Sequence, residues 1–421
     1  MIQTIQLAPH VTLRCCRDAR FKQGCLSFQL VRAMEEGEIA KNALIPSVLL
    51  RGTKFHTDLR SITHRLDELY GAAIGPLVRR VGDYQTTGMY CSFMDDRFAL
   101  PGDQVLAPML AFLEEILLDY PLEQGGFCAA FVESEKKNLI ATIETELNDK
   151  RAYAMNRLLK QMCREDSFGI PRLGEKEAVA EITPAQLYHH YRTILRTSRI
   201  ELFYVGSGDI PQVRALLRAM FSQLEREYTV LPEQTAYRYS PEFVRQQEMD
   251  VNQGKLCMGF VTPVTIRSED FVAMQLMNLI FGGGTTSKLF SQVREKMSLC
   301  YAIGSGYHGS KGILTVSAGI DSGMEAVVRQ EVMNQLEACC RGEITEEDMT
   351  AAKQAIRSSL QATHDSPGSI ESYYASKALS GLPLTPEAYM QKVEETTLGQ
   401  VQAAARQLKL HSVFFLKGVA V

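Results

Sequence analysis

The chain has 421 residues, 45% of them hydrophobic and 22% charged, and its 45 basic and 49 acidic side chains give a formal net charge of -4. Such a composition excludes intrinsic disorder and is sufficient for two or more domains, each with its own core. The two signs are mixed along the sequence, so no basic footprint for a phosphate backbone exists and nucleic acid is not an expected partner.

The N-terminal stretch MIQTIQLAPHVTLRCCRDARF alternates polar and apolar residues without the continuous apolar core of a signal peptide, and no run reaches the length of a membrane span. The ten cysteines are scattered, and the adjacent pairs Cys15-Cys16 and Cys339-Cys340 lack the Cys-x-x-Cys spacing of a zinc knuckle or redox site. Reduced thiols in a cytoplasmic protein are therefore expected.

Periodicity predicts strands at Val11 to Cys15 and Gly24 to Val31, then a helix from Glu36 to Leu50 that runs into Arg51-Gly52-Thr53. Another helix and the apolar strand of LYGAAIGPLVRRV follow. A helical segment from Ala152 leads to the strand IELFYVG at 200 to 206. Thr229 to Gln247 has two prolines and no sustained period, which marks a linker. The second half begins again with a strand, Gly254 to Val261, and a helix, Ser268 to Phe281, that runs into Gly282-Gly283-Gly284. A further helix, the strand of LCYAIGSGYHG, a helical segment from Ile370 and the strand SVFFLKG at 412 to 418 complete it.

The two halves keep register. Gly24 and Gly254 differ by 230, while Gly52 and Gly283, like Tyr70 and Tyr301, differ by 231. So constant an offset suggests a duplicated domain. The expected organisation is α+β, with domains at 1–228 and 248–421 joined by a linker at 229–247.

Local motifs for chemistry are sparse. Gly282-Gly283-Gly284 is followed by Thr-Thr-Ser-Lys, so Lys288 comes after the serine and the phosphate-loop order is not met. A left-handed cap at the end of the helix, and room for the next helix to approach, are the expected reasons for these glycines. Cys257 and Cys300 lie in apolar strands with no base nearby in sequence and are expected to be inert thiols. His64 with Asp67 and Glu68 has a spacing that could hold a metal, but the same spacing is that of an ion-paired exposed helix face. His189 and His190 are adjacent and point to different faces of a helix.

The duplicated order of strand, helix, glycine, helix and strand, with Leu50-Arg51-Gly52-Thr53 and the block from Phe281 to Tyr301, resembles the pitrilysin and mitochondrial-processing-peptidase family, the inverzincins. The resemblance implies two homologous tandem domains, each a mostly antiparallel sheet covered by helices, arranged as a clam-like shell. Active members carry His-x-x-Glu-His on the first long helix. Counting back from the anchor at 50 to 53 puts Ala43 at the first histidine, Pro46 at the glutamate and Ser47 at the second histidine. A zinc site needs two imidazoles one turn apart and a carboxylate on the same face to deprotonate bound water. A methyl group, a pyrrolidine ring and a hydroxyl supply none of this, and Pro46 is expected to kink the helix or delay its start.

The family's third ligand is a glutamate seven residues after another glutamate. In EKKNLIATIETELND this places Glu135 at the upstream position and Thr142 at the ligand, with Glu144 the candidate if the frame slides. The C-terminal half is different. The resemblance puts Arg294, Glu295 and Tyr301 at the positions from which an arginine and a tyrosine reach substrate carbonyls. A guanidinium and a phenol can donate to an oxygen as negative charge grows on it, but neither activates water.

The resemblance therefore implies a chain that is not a peptidase alone. The leading expectation is the non-catalytic subunit of a heterodimeric zinc peptidase, with no metal or cofactor of its own, binding a peptide through Arg294 and Tyr301 beside a zinc-bearing homologue. A homodimer is the other pairing considered, and a structural or assembly protein with no part in hydrolysis is the alternative.

Overall fold

The computed structural model describes residues 2–222, 224–233, 237–238, 240–381 and 385–418. The first sheet is built from β1 (Ile2–Ala8), β2 (Val11–Arg17), β3 (Gln23–Ala33), β4 (Ala73–Val81), β5 (Tyr84–Met94) and β8 (Arg199–Gly206), in the order β1-β2-β8-β3-β5-β4, and β6 (Leu122–Glu123) and β7 (Gly126–Phe127) form a separate hairpin. The second sheet contains β9 (Phe243–Met249), β10 (Gly254–Val261), β11 (Ala302–His308), β12 (Ile313–Ile320) and β13 (Lys409–Gly418), in the order β11-β12-β10-β13-β9. The connectivity is the same in both. β4-β5-β3-β8-β2 corresponds strand for strand to β11-β12-β10-β13-β9, with β1 added at one edge of the first sheet. Within each sheet one pair is parallel, β2 with β8 and β9 with β13, and the rest are antiparallel. The mixed α+β class follows from this arrangement of helices over mostly antiparallel sheets.

The central strands show why the sequence reads as long apolar runs. Along β3, Leu26, Phe28 and Leu30 enter the main core of the first unit, among Leu13, Leu44, Phe112 and Tyr191. The intervening residues face the other way. There Cys25 packs with Val205 and Ile370, Val31 packs with Tyr84 and Leu379, and Ser27 and Gln29 bond to Glu371. A strand buried on both faces cannot alternate with water-facing side chains. Each fully buried Leu or Phe contributes roughly 1.5–3 kcal/mol.

The covering helices do not come from where the sequence suggests. The chain forms two compact units, one of Met1–Glu144, Arg172–Glu233 and Thr363–Leu379, the other of Thr145–Pro171, Gln234–Ala362 and Ser380–Val421. Each half thus lends a helix to the unit built mainly from the other half. Helix Lys150–Met162 buries Ala154 and Leu158 against Cys257, Phe414 and Leu416 of the second sheet. Helix Pro367–Ser380 covers the first sheet. A contiguous division at 228 and 248 misses this because an apolar stripe carries no record of which sheet it covers. The stretch 229–247, read as linker, also ends in β9, whose first residue Phe243 pairs with Ser412. Its sequence FVRQQEM is polar, as suits an edge strand, and so gives no alternating signal.

The exchanged helix of the first unit is fastened by a buried carboxylate. Glu371, 1% exposed, accepts from Ser27 Oγ at 2.6 Å, from Gln29 Nε2 at 3.0 Å and from both Arg79 terminal nitrogens at 2.9 and 2.8 Å. Helix Glu36–Leu49 meets a different local problem, since Pro46 lies inside it and has no N–H for the carbonyl of Asn42. The Thr87 hydroxyl donates to that carbonyl at 2.6 Å, so the helix continues through the proline instead of starting after it.

Removing Arg79 would leave the Glu371 carboxylate buried without its countercharge, which costs roughly 3–5 kcal/mol. Arg79→Leu is expected to lower the unfolding free energy of the first unit by that order in urea titrations, whereas a loss under about 0.5 kcal/mol would show that the pair does not hold the helix.

Candidate functional site

The Arg294 and Tyr301 region is organised by the end of helix Phe271–Phe281. The Asn278 carbonyl accepts from both Gly282 N and Gly283 N at 2.9 Å, and the Gly282 carbonyl accepts from Ser305 N of β11 at 2.8 Å. Gly282 has φ -154°, so the expected left-handed cap does not form. Glycine is required here by crowding: a Cβ at 282 would stand 2.7 Å from Ser305 Oγ and 2.8 Å from Leu289 Cδ1. The close approach expected of the glycines is real, but it brings the loop onto strand β11 as well as onto the next helix.

That next helix, Leu289–Lys296, is a π-helix. Its wide turn is seen in the bond from Met297 N to Gln292 O at 2.9 Å, a five-residue step. Leu289 and Val293 anchor it in the core, leaving Arg294 to project outward with a side chain 41% exposed. The guanidinium lies 4.6 Å from the Phe290 ring centroid, and its Nε is 3.6 Å from Glu295 Oε1. Stacking on the ring orients the cation while leaving most of its donors open.

Ser298 then adopts φ 52°, a left-handed conformation unusual for a residue with a side chain, as the chain turns into β11. Tyr301 immediately precedes the strand, its N–H donating to Gly319 O at 2.9 Å. The residue is 60% exposed and its hydroxyl reaches Asp321 Oδ1 at 3.4 Å. Arg294, Tyr301, Cys300 and Asp321 share a cavity of about 430 Å³, and Arg294 also borders a second cavity of about 700 Å³. The structure thus brings Arg294 and Tyr301 to one opening, where both can donate to a carbonyl oxygen. Burial pushes the Cys300 thiol up to about 11 and the Cys257 thiol up to about 12, which removes both as nucleophiles at neutral pH.

The N-terminal candidates present another picture. Ala43 is 4% exposed and packed in the core, Pro46 is buried beside it, and Ser47 is partly buried on the same helix. Thr142 is exposed and gives its hydroxyl to Asn138 O of its own helix at 2.9 Å. Nothing in this donor set fits a zinc ion, since it offers no imidazole, thiolate or carboxylate. Among the described residues no group of three His, Cys, Asp or Glu side chains is placed to hold a metal. Glu135 instead ion-pairs with Arg51, and Glu144 pairs with Lys176 at 3.2 Å. His64 and Glu68 form an exposed pair at 3.2 Å.

A polar cluster beside the same helix was not legible in the sequence. Asn42 donates to Gln85 Oε1 at 2.9 Å, and its own Oδ1 meets His190 Nε2 at 2.7 Å. Burial holds His190 down to about 4, against the ordinary value of 6.5, with Glu38 opposing the shift and Lys41 and Arg32 adding to it. His190 therefore faces inward while His189 is exposed, and only helical phase could have indicated which.

Comparison with known proteins gives a consistent result. A family model described as "Peptidase M16 inactive domain" matches residues 181–356. A Bacillus subtilis protein, "Probable inactive metalloprotease YmfF", is 29% identical over 97% of this chain and 96% of its own length. An "Uncharacterized zinc protease" of Mycobacterium tuberculosis is 27% identical over 72% of this chain and 70% of its own. Among solved structures, a conserved protein of Enterococcus faecalis superposes with TM-score 0.91 at 27% identity, covering 99% of both chains. A "peptidase M16 inactive domain" of Pseudomonas fluorescens superposes with TM-score 0.82 at 18% identity over 100% of this chain and 98% of its own.

The partly buried His190, held below its ordinary value, makes stability depend on pH. The folded state takes up this proton only near pH 4, whereas the unfolded chain takes it near 6.5, so the stabilisation is intact above about 6.5 and is lost as pH falls toward 4. Between pH 7 and 4 the native chain is expected to lose roughly 1–3 kcal/mol more unfolding free energy than His190→Gln, and equal losses would contradict the assignment.

Proposed function

Because the chain is a member of the peptidase M16 family and contains no His-x-x-Glu-His sequence, we propose that it is the non-catalytic subunit of a heterodimeric zinc peptidase. A homologous partner carries the zinc motif, and this chain contributes Arg294 and Tyr301 to the binding of an extended peptide. The observation that carries the reading is the asymmetry between the halves. Arg294 and Tyr301 share an open cavity, with Tyr301 60% exposed and the guanidinium no closer than 3.6 Å to a carboxylate, while Ala43, Pro46, Ser47 and Thr142 offer no metal ligand.

The partner's zinc would supply the activation of water. Arg294 would donate to the scissile carbonyl or its neighbour as charge builds on the oxygen, and Tyr301 would donate a second hydrogen bond. Phe290 holds the guanidinium plane, so little reorganisation is needed when the carbonyl arrives. The complex is read as cytoplasmic, in keeping with a chain of ten cysteines and no paired Cys-x-x-Cys motif. The described residues contain no helix long and apolar enough to cross a membrane.

The test is co-expression with a homologue bearing His-x-x-Glu-His, followed by peptide cleavage assays on the purified complex. Arg294→Ala is expected to lower kcat by about a hundredfold and Tyr301→Phe by about tenfold, the range for loss of an oxyanion donor, with the zinc content of the complex unchanged. Unchanged cleavage by both variants would contradict the half-site and favour a purely structural or assembly role.

A further inference from the structure

The larger cavity of the second unit, about 700 Å³, has a distinct chemical character. Its floor is β11 and β12, where Gly304 pairs with Ser317 and Gly306 with Thr315, so small side chains leave the sheet face open. Helix Lys150–Met162, which covers the neighbouring strands of this sheet, forms one wall, and the glycine loop with the π-helix forms the other. An extended chain can lie along such a floor because Gly304 and Gly306 have no side chain and Thr315 and Ser317 carry only small ones.

Two guanidiniums border this space and neither is well neutralised. Arg151 donates its Nε to Ser317 Oγ at 3.1 Å and has no ion-pair partner among the described residues. Arg294 enters from the other wall, stacked on Phe290. The one carboxylate in the lining, Asp149, is engaged as the helix cap, its Oδ1 accepting from Arg151 N at 2.9 Å and Ala152 N at 3.2 Å. His308 is the remaining titratable group of the lining. Nearby Lys255 is held below its ordinary value by burial first and by Arg151 second, with Asp149 opposing the shift.

We infer that this cavity is a carboxylate-binding subsite, in which Arg151, across the cavity from the carbonyl-binding Arg294, selects peptides carrying an acidic side chain or a free C-terminal carboxylate. The inference deepens the proposed peptide-binding role and rests on it. Arg151 acts as a specificity-determining residue, and Ser317 positions it. Guanidinium–carboxylate bonds are charge-assisted and geometrically selective, so the acidic group, and not merely an extended backbone, decides which peptide is held. Arg151 lies on the helix exchanged between the halves of the sequence, so the subsite exists only because that helix covers the second sheet.

The test measures binding of three rhodamine-labelled octapeptides of one neutral sequence to the full chain by fluorescence anisotropy. One peptide is amidated and neutral, one is amidated with a single glutamate, and one is neutral with a free C-terminal carboxylate. At least one carboxylate peptide is expected to bind about tenfold more tightly than the neutral one, and which of them does so identifies the source of the carboxylate. Arg151→Gln should bring that preference, taken as the ratio of the two affinities in the same variant, to within about twofold, while Arg151→Lys keeps part of it. Ser317→Ala, which retains the charge but frees the side chain, should lower the preference about threefold. Equal, measurable affinity for all three peptides overturns the subsite and leaves the peptide-binding role standing. A preference that survives in Arg151→Gln overturns the subsite as well, and absence of binding by every peptide overturns both.

Discussion

The central strands of each sheet are buried on both faces, and part of the cover comes from the other half of the sequence. The two exchanged segments are fastened alike. In the first unit Glu371 is bound by Arg79, Ser27 and Gln29, and in the second Asp166 meets Lys311 Nζ at 2.9 Å with both side chains almost completely buried. Desolvation makes such pairs poor sources of net stability, but an unpaired member is expensive. Their effect is to fix where each helix docks, since a shift in register would strand a buried charge. A purely apolar contact would tolerate sliding.

This constraint positions the candidate site of the second unit. Helix Lys150–Met162 brings Arg151 beside β12, and the Gly282 carbonyl fixes the glycine loop to β11 through Ser305. Between them the π-helix turns Arg294 outward and Ser298 reverses the chain, so Tyr301 emerges at the head of the strand. The first unit has the same strand connectivity, yet the helix that would carry a metal motif is absorbed into structure. Pro46 is accommodated by Thr87, Asn42 is tied to Gln85 and His190, and Ala43 fills core space. The fold is that of the M16-like structures it superposes on, while Ala43, Pro46 and Ser47 offer none of the imidazoles and carboxylate that hold zinc and deprotonate its water.

Much of the framework was legible because it depends on local pattern. The strands at Gly24, Gly254, 200 to 206 and 412 to 418, and the constant offset between halves, follow from apolar runs that the sheets bury on both faces. The exchange of helices was not legible, because Ala154 and Leu158 make the same stripe whichever sheet receives them. Strand β9 was hidden by its polar edge character, and the π-helix by a sequence whose buried Leu289 and Val293 fit an ordinary helix equally well. The glycine run was legible as a breaker, but its reason lay in the approach of Ser305 and Leu289, one of them distant in sequence. Arg294 and Tyr301 could be nominated from their residue types and family positions. Arg151 could not, since its placement depends on the exchange.

The central claim is that the metal needed for chemistry comes from another chain. Zinc analysis of the purified protein, alone and in complex with a homologue bearing His-x-x-Glu-His, tests it most directly when combined with native mass spectrometry. The account predicts no bound zinc in the isolated chain and one zinc in a one-to-one complex. Stoichiometric zinc bound to the isolated chain would contradict the account.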